Sequence, residues 1–217
     1  MERLADGVII AVNVRSRIVI GIGLLLALPL QAAGQVRASD LQETVVALSK
    51  VAESIPAALK PPGLTPSVTW MMNNIKKTDP SAVSPEYLES LRLAAELLKG
   101  SRDPRFIQDV TSELEAKVEH CRALGVGMGG SILMRVNTRS RAQSVGDWQV
   151  QYLLKIYEHI AGAAPLTFPR LSTPTETRME PGRYWVWARD PATGRTSERV
   201  LVRVAGQPEL AVDLAVP

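Results

Sequence analysis

Cysteine occurs once in these 217 residues, as Cys121, and histidine twice, as His120 and His159. A single thiol excludes a disulfide within the chain and any zinc cluster built on several cysteines, and it leaves the redox compartment open. No metal-ligating set of His and Cys can be assembled, and no cofactor is expected. An excess of one charge is missing as well. The formal charge is +3, and setting aside the first 34 residues, with Arg3, Arg15, Arg17, Glu2 and Asp6, leaves +2. That is too near neutral to imply nucleic acid. Nor is there an apolar run of the roughly 20 residues that a membrane-spanning helix needs.

What is present is ordinary globular material, 46% apolar and 22% charged, enough to bury a real core. Arginine outnumbers lysine 18 to 7. With abundant alanine this reads as the mark of a G+C-rich bacterial genome rather than of a polyanion site.

Ile18 to Leu30 is uncharged and almost wholly apolar, lies behind Arg15 and Arg17, and is followed by Gln31-Ala32-Ala33-Gly34-Gln35. Basic flank, short apolar region and small residues at a cleavage site are the anatomy of a secretory signal. Residues 1–34 are therefore expected to be a signal peptide, with an uncleaved inner-membrane anchor as the alternative. Membrane contact is expected only if Ile18 to Ala33 stays attached. The implied location is periplasmic or extracellular.

Residues 38–124 read as helical. Leu41, Val45, Leu48, Ala52 and Ile55 recur at helical spacing after Ser39-Asp40, a capping pair, and Pro56 ends the helix. Beyond the stiff Pro56 to Pro66 connection, Val68 to Ile75 forms a short helix. Ser84-Pro85-Glu86 and Asp103-Pro104 each combine a capping side chain with proline in the first turn. Leu88, Leu91, Ala95 and Leu98 then line one helix, and Phe106, Val110, Leu114, Val118 and Cys121 line its antiparallel partner, which ends near Gly125. On that second helix Glu113, Glu115 and Glu119 are expected to solvate the surface.

Gly125-Val126-Gly127-Met128-Gly129-Gly130 has the spacing G-x-G-x-x-G. A dinucleotide site needs a strand before those glycines and a helix after them. Here the order is reversed, so they read as a helix terminator and hinge. His120 and Cys121 are adjacent, and neighbours on a helix point about 100° apart, which prevents a nucleophile–base contact. Cys121 reads as a small buried hydrophobe and His120 as a surface imidazole.

Residues 129–217 read as strands. Ile132, Met134 and Val136 alternate with Leu133, Arg135 and Asn137, and Trp148, Val150, Tyr152, Leu154 and Ile156 with Gln149, Gln151, Leu153 and Lys155, as strands with one buried face do. An edge strand is expected near Thr175 to Arg178. Gly182 to Arg189, Ser197 to Val204 and Leu210 to Val216 then read as a closing meander. The residues Ser172-Thr173-Pro174, Glu180-Pro181-Gly182-Arg183-Tyr184-Trp185-Val186, Val202-Arg203-Val204-Ala205-Gly206 and Val212-Asp213-Leu214 resemble the carboxyl-terminal half of PEGA and carboxypeptidase-regulatory-like β-sandwich modules. That resemblance implies a small, non-catalytic, extracytoplasmic sandwich used as an accessory, adhesive or spacer domain.

The fold expected is α+β: a helical region followed by an antiparallel β-sandwich, Ig-like or transthyretin-like. The candidate binding surface is Trp185, Trp187 and Arg199. If the two indoles point outward, they stack with Arg199 or receive a sugar, a peptide or a neighbouring domain. The other reading puts them in the core or beneath the helices. Which face meets Val200, Val202 and Val204 depends on whether Gly194 makes a bulge. The function expected is an exported, non-catalytic binding or structural accessory of a bacterial envelope, with a protein or glycan partner. Two alternatives stand beside it. One is a membrane-anchored assembly component; the other is a hydrolase whose groups converge only in space, such as Cys121 with His159.

Overall fold

A computed structural model describes residues 35–141 and 143–217. The signal or anchor segment, residues 1–34, lies outside them. The described residues are α+β, with four α-helices followed by two β-sheets. Among the described residues no helix is long and apolar enough to cross a membrane.

The helices are α1 (Ala38–Ser54), α2 (Leu64–Asn74), α3 (Pro85–Leu98) and α4 (Pro104–Leu124). Their starts follow local chemistry. Ser84 Oγ accepts the Tyr87 N–H at 2.9 Å, Asp103 Oδ1 accepts that of Arg105 at 2.9 Å, and a proline follows each cap. At α1 the expected Ser39-Asp40 cap is replaced. The helix begins at Ala38, and Asp40 sits in its first turn, paired with Arg37 at 2.9 Å near the positive end of the dipole. α2 starts four residues earlier than Val68, because Pro66 in the first turn has no N–H to leave unpaired. α4 ends as expected at Gly125, a left-handed cap with φ 66°.

The strands are β1 (Ile132–Ser140), β2 (Gln143–Val145), β3 (Gln149–Leu154), β4 (Leu166–Thr167), β5 (Thr175–Met179), β6 (Gly182–Arg189), β7 (Val200–Val204) and β8 (Glu209–Ala215). One sheet is built on β1, which pairs with β5 and β2 along one edge and with β8 along the other; the second runs β4-β3-β6-β7. The expected meander breaks at its last step. β6 and β7 form an antiparallel pair, but β8 leaves that sheet and pairs parallel with β1, Val136 opposite Val212. The connection turns through Gly206 at φ 74°, and the crossing carries the apolar face of β8 to a free edge of β1. β3 also stops at Leu154, and Lys155–His159 coil into a 3-10 turn.

Ile132, Met134, Val136, Val212 and Leu214 of the first sheet and Val150, Tyr184, Val186, Val202 and Val204 of the second belong to the same hydrophobic core as Leu48, Leu64, Leu91 and Leu114 of the helices. α4 joins the two halves because it is buried on nearly every side. Its residues meet one end of the second sheet in sequence. Asp109 reaches Lys155, His159 and Arg183, Glu113 reaches Arg183, Lys117 reaches Pro181, and Glu119 reaches Arg203. The described residues form one compact unit.

Candidate functional site

β6 lies between β3 and β7. Tyr184, Val186 and Ala188 point into the shared core, so Trp185 and Trp187 take the opposite face. A bulge sets what lies above them. Arg189 pairs with Thr196 while Val186 pairs with Val200, three steps on one strand against four on the other. The extra residue therefore falls between Thr196 and Val200 and not at Gly194, which closes the preceding turn by donating to Asp190 O at 2.8 Å.

Within this bulge the Arg199 guanidinium rests 4.5 Å from the centre of the Trp187 ring. Trp187 Nε1 donates to Gln151 Oε1 at 2.9 Å on the neighbouring strand, and the residue is only 4% exposed. Trp185 is roofed in the same way by Lys155 at 5.4 Å, and Lys155 is itself held by Asp109 and Glu158. The three residues singled out in the sequence do come together, but their arrangement differs from an open aromatic platform. Arg199 already covers the Trp187 ring and closes it to a stacking sugar. What faces solvent is the guanidinium, which among the described residues has no carboxylate within ion-pair distance.

The placement of β6 depends on Glu113, which the sequence pattern assigned to the surface, and on Lys117, one turn further along α4. Glu113 is fully buried; its Oε2 accepts the Arg183 backbone N–H at 2.8 Å, and its Oε1 lies 3.3 Å from Lys117 Nζ. Lys117, also buried, donates to Pro181 O at 2.6 Å and lies over the Tyr87 ring at 4.8 Å. An i,i+4 ion pair on α4 thus grips the backbone on both sides of Gly182, where a Cβ would overlap the Glu113 carboxylate. Burial pushes the Glu113 carboxyl above its ordinary value, and the Lys117 charge works against that rise. Glu180 is likewise raised by burial, opposed by the Ser84 hydroxyl, which donates to it at 2.8 Å. The sequence carried one legible sign of this second buried face. Glu113, Ala116, Lys117 and His120 repeat at helical spacing beside the apolar stripe already present on α4.

His120 is a second correction, since it is fully buried against Gly130 and neither ring nitrogen has a partner among the described residues. Burial lowers its pKa. Cys121 is buried too; its thiol contacts Gly129 O at 3.7 Å, and burial raises its pKa. It lines a cavity of about 340 Å³ with Trp70, Asn74, Lys77 and Arg122. No imidazole joins it there. His159 pairs with Asp109 at 3.2 Å and packs edge-on against Phe106. Asp109 and Cys121 are twelve residues apart on α4, about 18 Å along the helix.

The glycine-rich turn connects α4 to β1, helix first and strand second. Its glycines answer to packing. A Cβ on Gly127 would come within 2.7 Å of Thr78 Cα, and one on Gly129, at φ 111°, would overlap the Ala82 carbonyl. The Met128 N–H donates to Thr78 Oγ1 at 2.9 Å. The turn therefore spends its backbone on the Thr78–Val83 segment. No protein-family model matches this chain, and no curated protein matches it.

Proposed function

We propose that this chain is an exported, non-catalytic binding or structural accessory protein of a bacterial envelope, with its carboxyl-terminal half acting as an Ig-like or transthyretin-like sandwich. The observation that carries the reading is the Trp187–Arg199 stack. A guanidinium already seated over an indole loses little conformational freedom when it meets a ligand, and its N–H donors have no partner among the described residues. The groups that resemble an active site support the same reading. Glu113, Lys117 and Tyr87 are buried and spend their polar atoms or ring faces on holding the fold.

The test has two arms. Expression with residues 1–34 in a bacterium, followed by sequencing of the mature amino terminus, should give a start near Gln35 in the periplasm. An intact Arg15 in the membrane fraction supports the anchored assembly component instead. In the same cells a photocrosslinking residue at Leu201, beside Arg199, should yield adducts, while one at Ala47 on α1 should not. Equal labelling at the two positions removes this face from consideration.

A further inference from the structure

β7 is the last strand of its sheet, so alternate backbone N–H and C=O groups along its outer edge have no strand partner among the described residues. The edge is not blunted by polarity. Val200 is 39% and Leu201 38% exposed, and both lie outside the core that Val202 and Val204 of the same strand enter; on the opposite edge strand, β4, Leu166 is exposed as well. Arg199 enters the strand from Trp187, and Arg203 leaves it paired to Glu119 at 3.1 Å. From Arg195 to Arg203 the chain carries three arginines against the single Glu198.

We propose that this edge takes up an extended acidic segment of another protein as an added strand. A carboxylate of that segment sits opposite Arg199, and an apolar side chain sits opposite Leu201. The proposal rests on reading this face as the binding surface, and adds where the partner lies and what chemistry it carries. Charge decides the occupant. A second copy added antiparallel about Leu201 would set each Arg199 opposite an Arg203 that Glu119 already holds, twice over, and so would bring no carboxylate to either Arg199 guanidinium. A basic segment brings none either. An acidic one meets a guanidinium already oriented by Trp187 and able to take a carboxylate with two parallel N–H···O bonds. The main-chain bonds supply binding, and alternate side chains supply selectivity.

The probe is the blocked peptide Ser-Glu-Thr-Val-Thr-Glu-Ser, which reads the same in both directions, with a version carrying Lys for Glu and a version N-methylated on alternate amides. Titrated into the folded chain at low salt, the acidic peptide should bind about tenfold or more tighter than the lysine one. The order should reverse on Arg199→Glu, and N-methylation should abolish binding to the unaltered protein. Equal binding of acidic and basic peptides, binding that survives N-methylation, no binding at all, or a β7-linked dimer in sedimentation would each overturn the proposal. The N-methylated arm needs no variant, so it decides even if Arg199→Glu fails to fold. Crosslinks from Leu201 in cells without peptide binding would remove the acidic strand and leave the binding face standing.

Discussion

Lys117 Nζ donates to the carbonyl oxygen of Pro181 at 2.6 Å, and four residues earlier on the same helix Glu113 accepts the N–H of Arg183. Two side chains of α4 thereby fix the corner from which the tryptophan strand springs. A buried ion pair is weak support for stability in itself, because desolvation offsets the attraction, but losing one member strands the other. Lys117→Met is expected to cost about 3 to 5 kcal/mol in urea unfolding. Adding Glu113→Gln to that variant should recover part of the loss, since the amide oxygen still accepts the Arg183 N–H without a buried charge. A double variant less stable than Lys117→Met alone would show that the pair does not act as a unit.

His120 gives the fold an acid-sensitive point. Its folded pKa lies below the ordinary 6.5 because burial disfavours the charged ring. The unfolded chain therefore takes the proton first as pH falls. The stability tied to the neutral ring is complete above about pH 6.5 and is lost progressively below it, by at most about 1.4 kcal/mol per pH unit for one proton. Melting curves from pH 7.5 to 5.5 should fall more steeply for the wild type than for His120→Gln. Parallel curves would mean that the ring is not titrating inside the fold.

Much of the fold was legible because it rests on local chemistry. Ser84 and Asp103 with their prolines, Gly125, and the alternation in β1, β3 and β8 each announce themselves within a few residues. The rest was set by partners far along the chain. β8 crosses to β1, the bulge beyond Thr196 turns Arg199 over Trp187, and Glu113 goes inward because Arg183 and Lys117 receive it. Charge at Glu113 and the imidazole at His120 made both read as surface. Of the site, Trp185, Trp187 and Arg199 were found by side-chain type, but the cover of arginine over indole depends on a register that spacing alone leaves open.

The glycine-rich turn is expected to behave as a packing element. Gly129→Ala adds a Cβ against the Ala82 carbonyl at φ 111°, a backbone conformation that alanine rarely adopts. A loss of about 2 kcal/mol or more is expected from the overlap and the strain together. Chemical denaturation reads it directly. A variant as stable as the wild type would free these glycines for another role.

Removing the cover should expose the indole beneath. Arg199→Ala is expected to shift tryptophan emission to the red and to raise acrylamide quenching, at a stability cost of about 0.5 to 1 kcal/mol for an exposed cation–π contact. Unchanged emission would place the guanidinium elsewhere in solution.

The most direct test of the binding face is amide hydrogen exchange with and without the acidic peptide. Slowed exchange is expected, confined to Val200–Val204 and the bulge before it, with α1 unchanged. Slowed exchange elsewhere, or none at β7 when the peptide is bound, would contradict it.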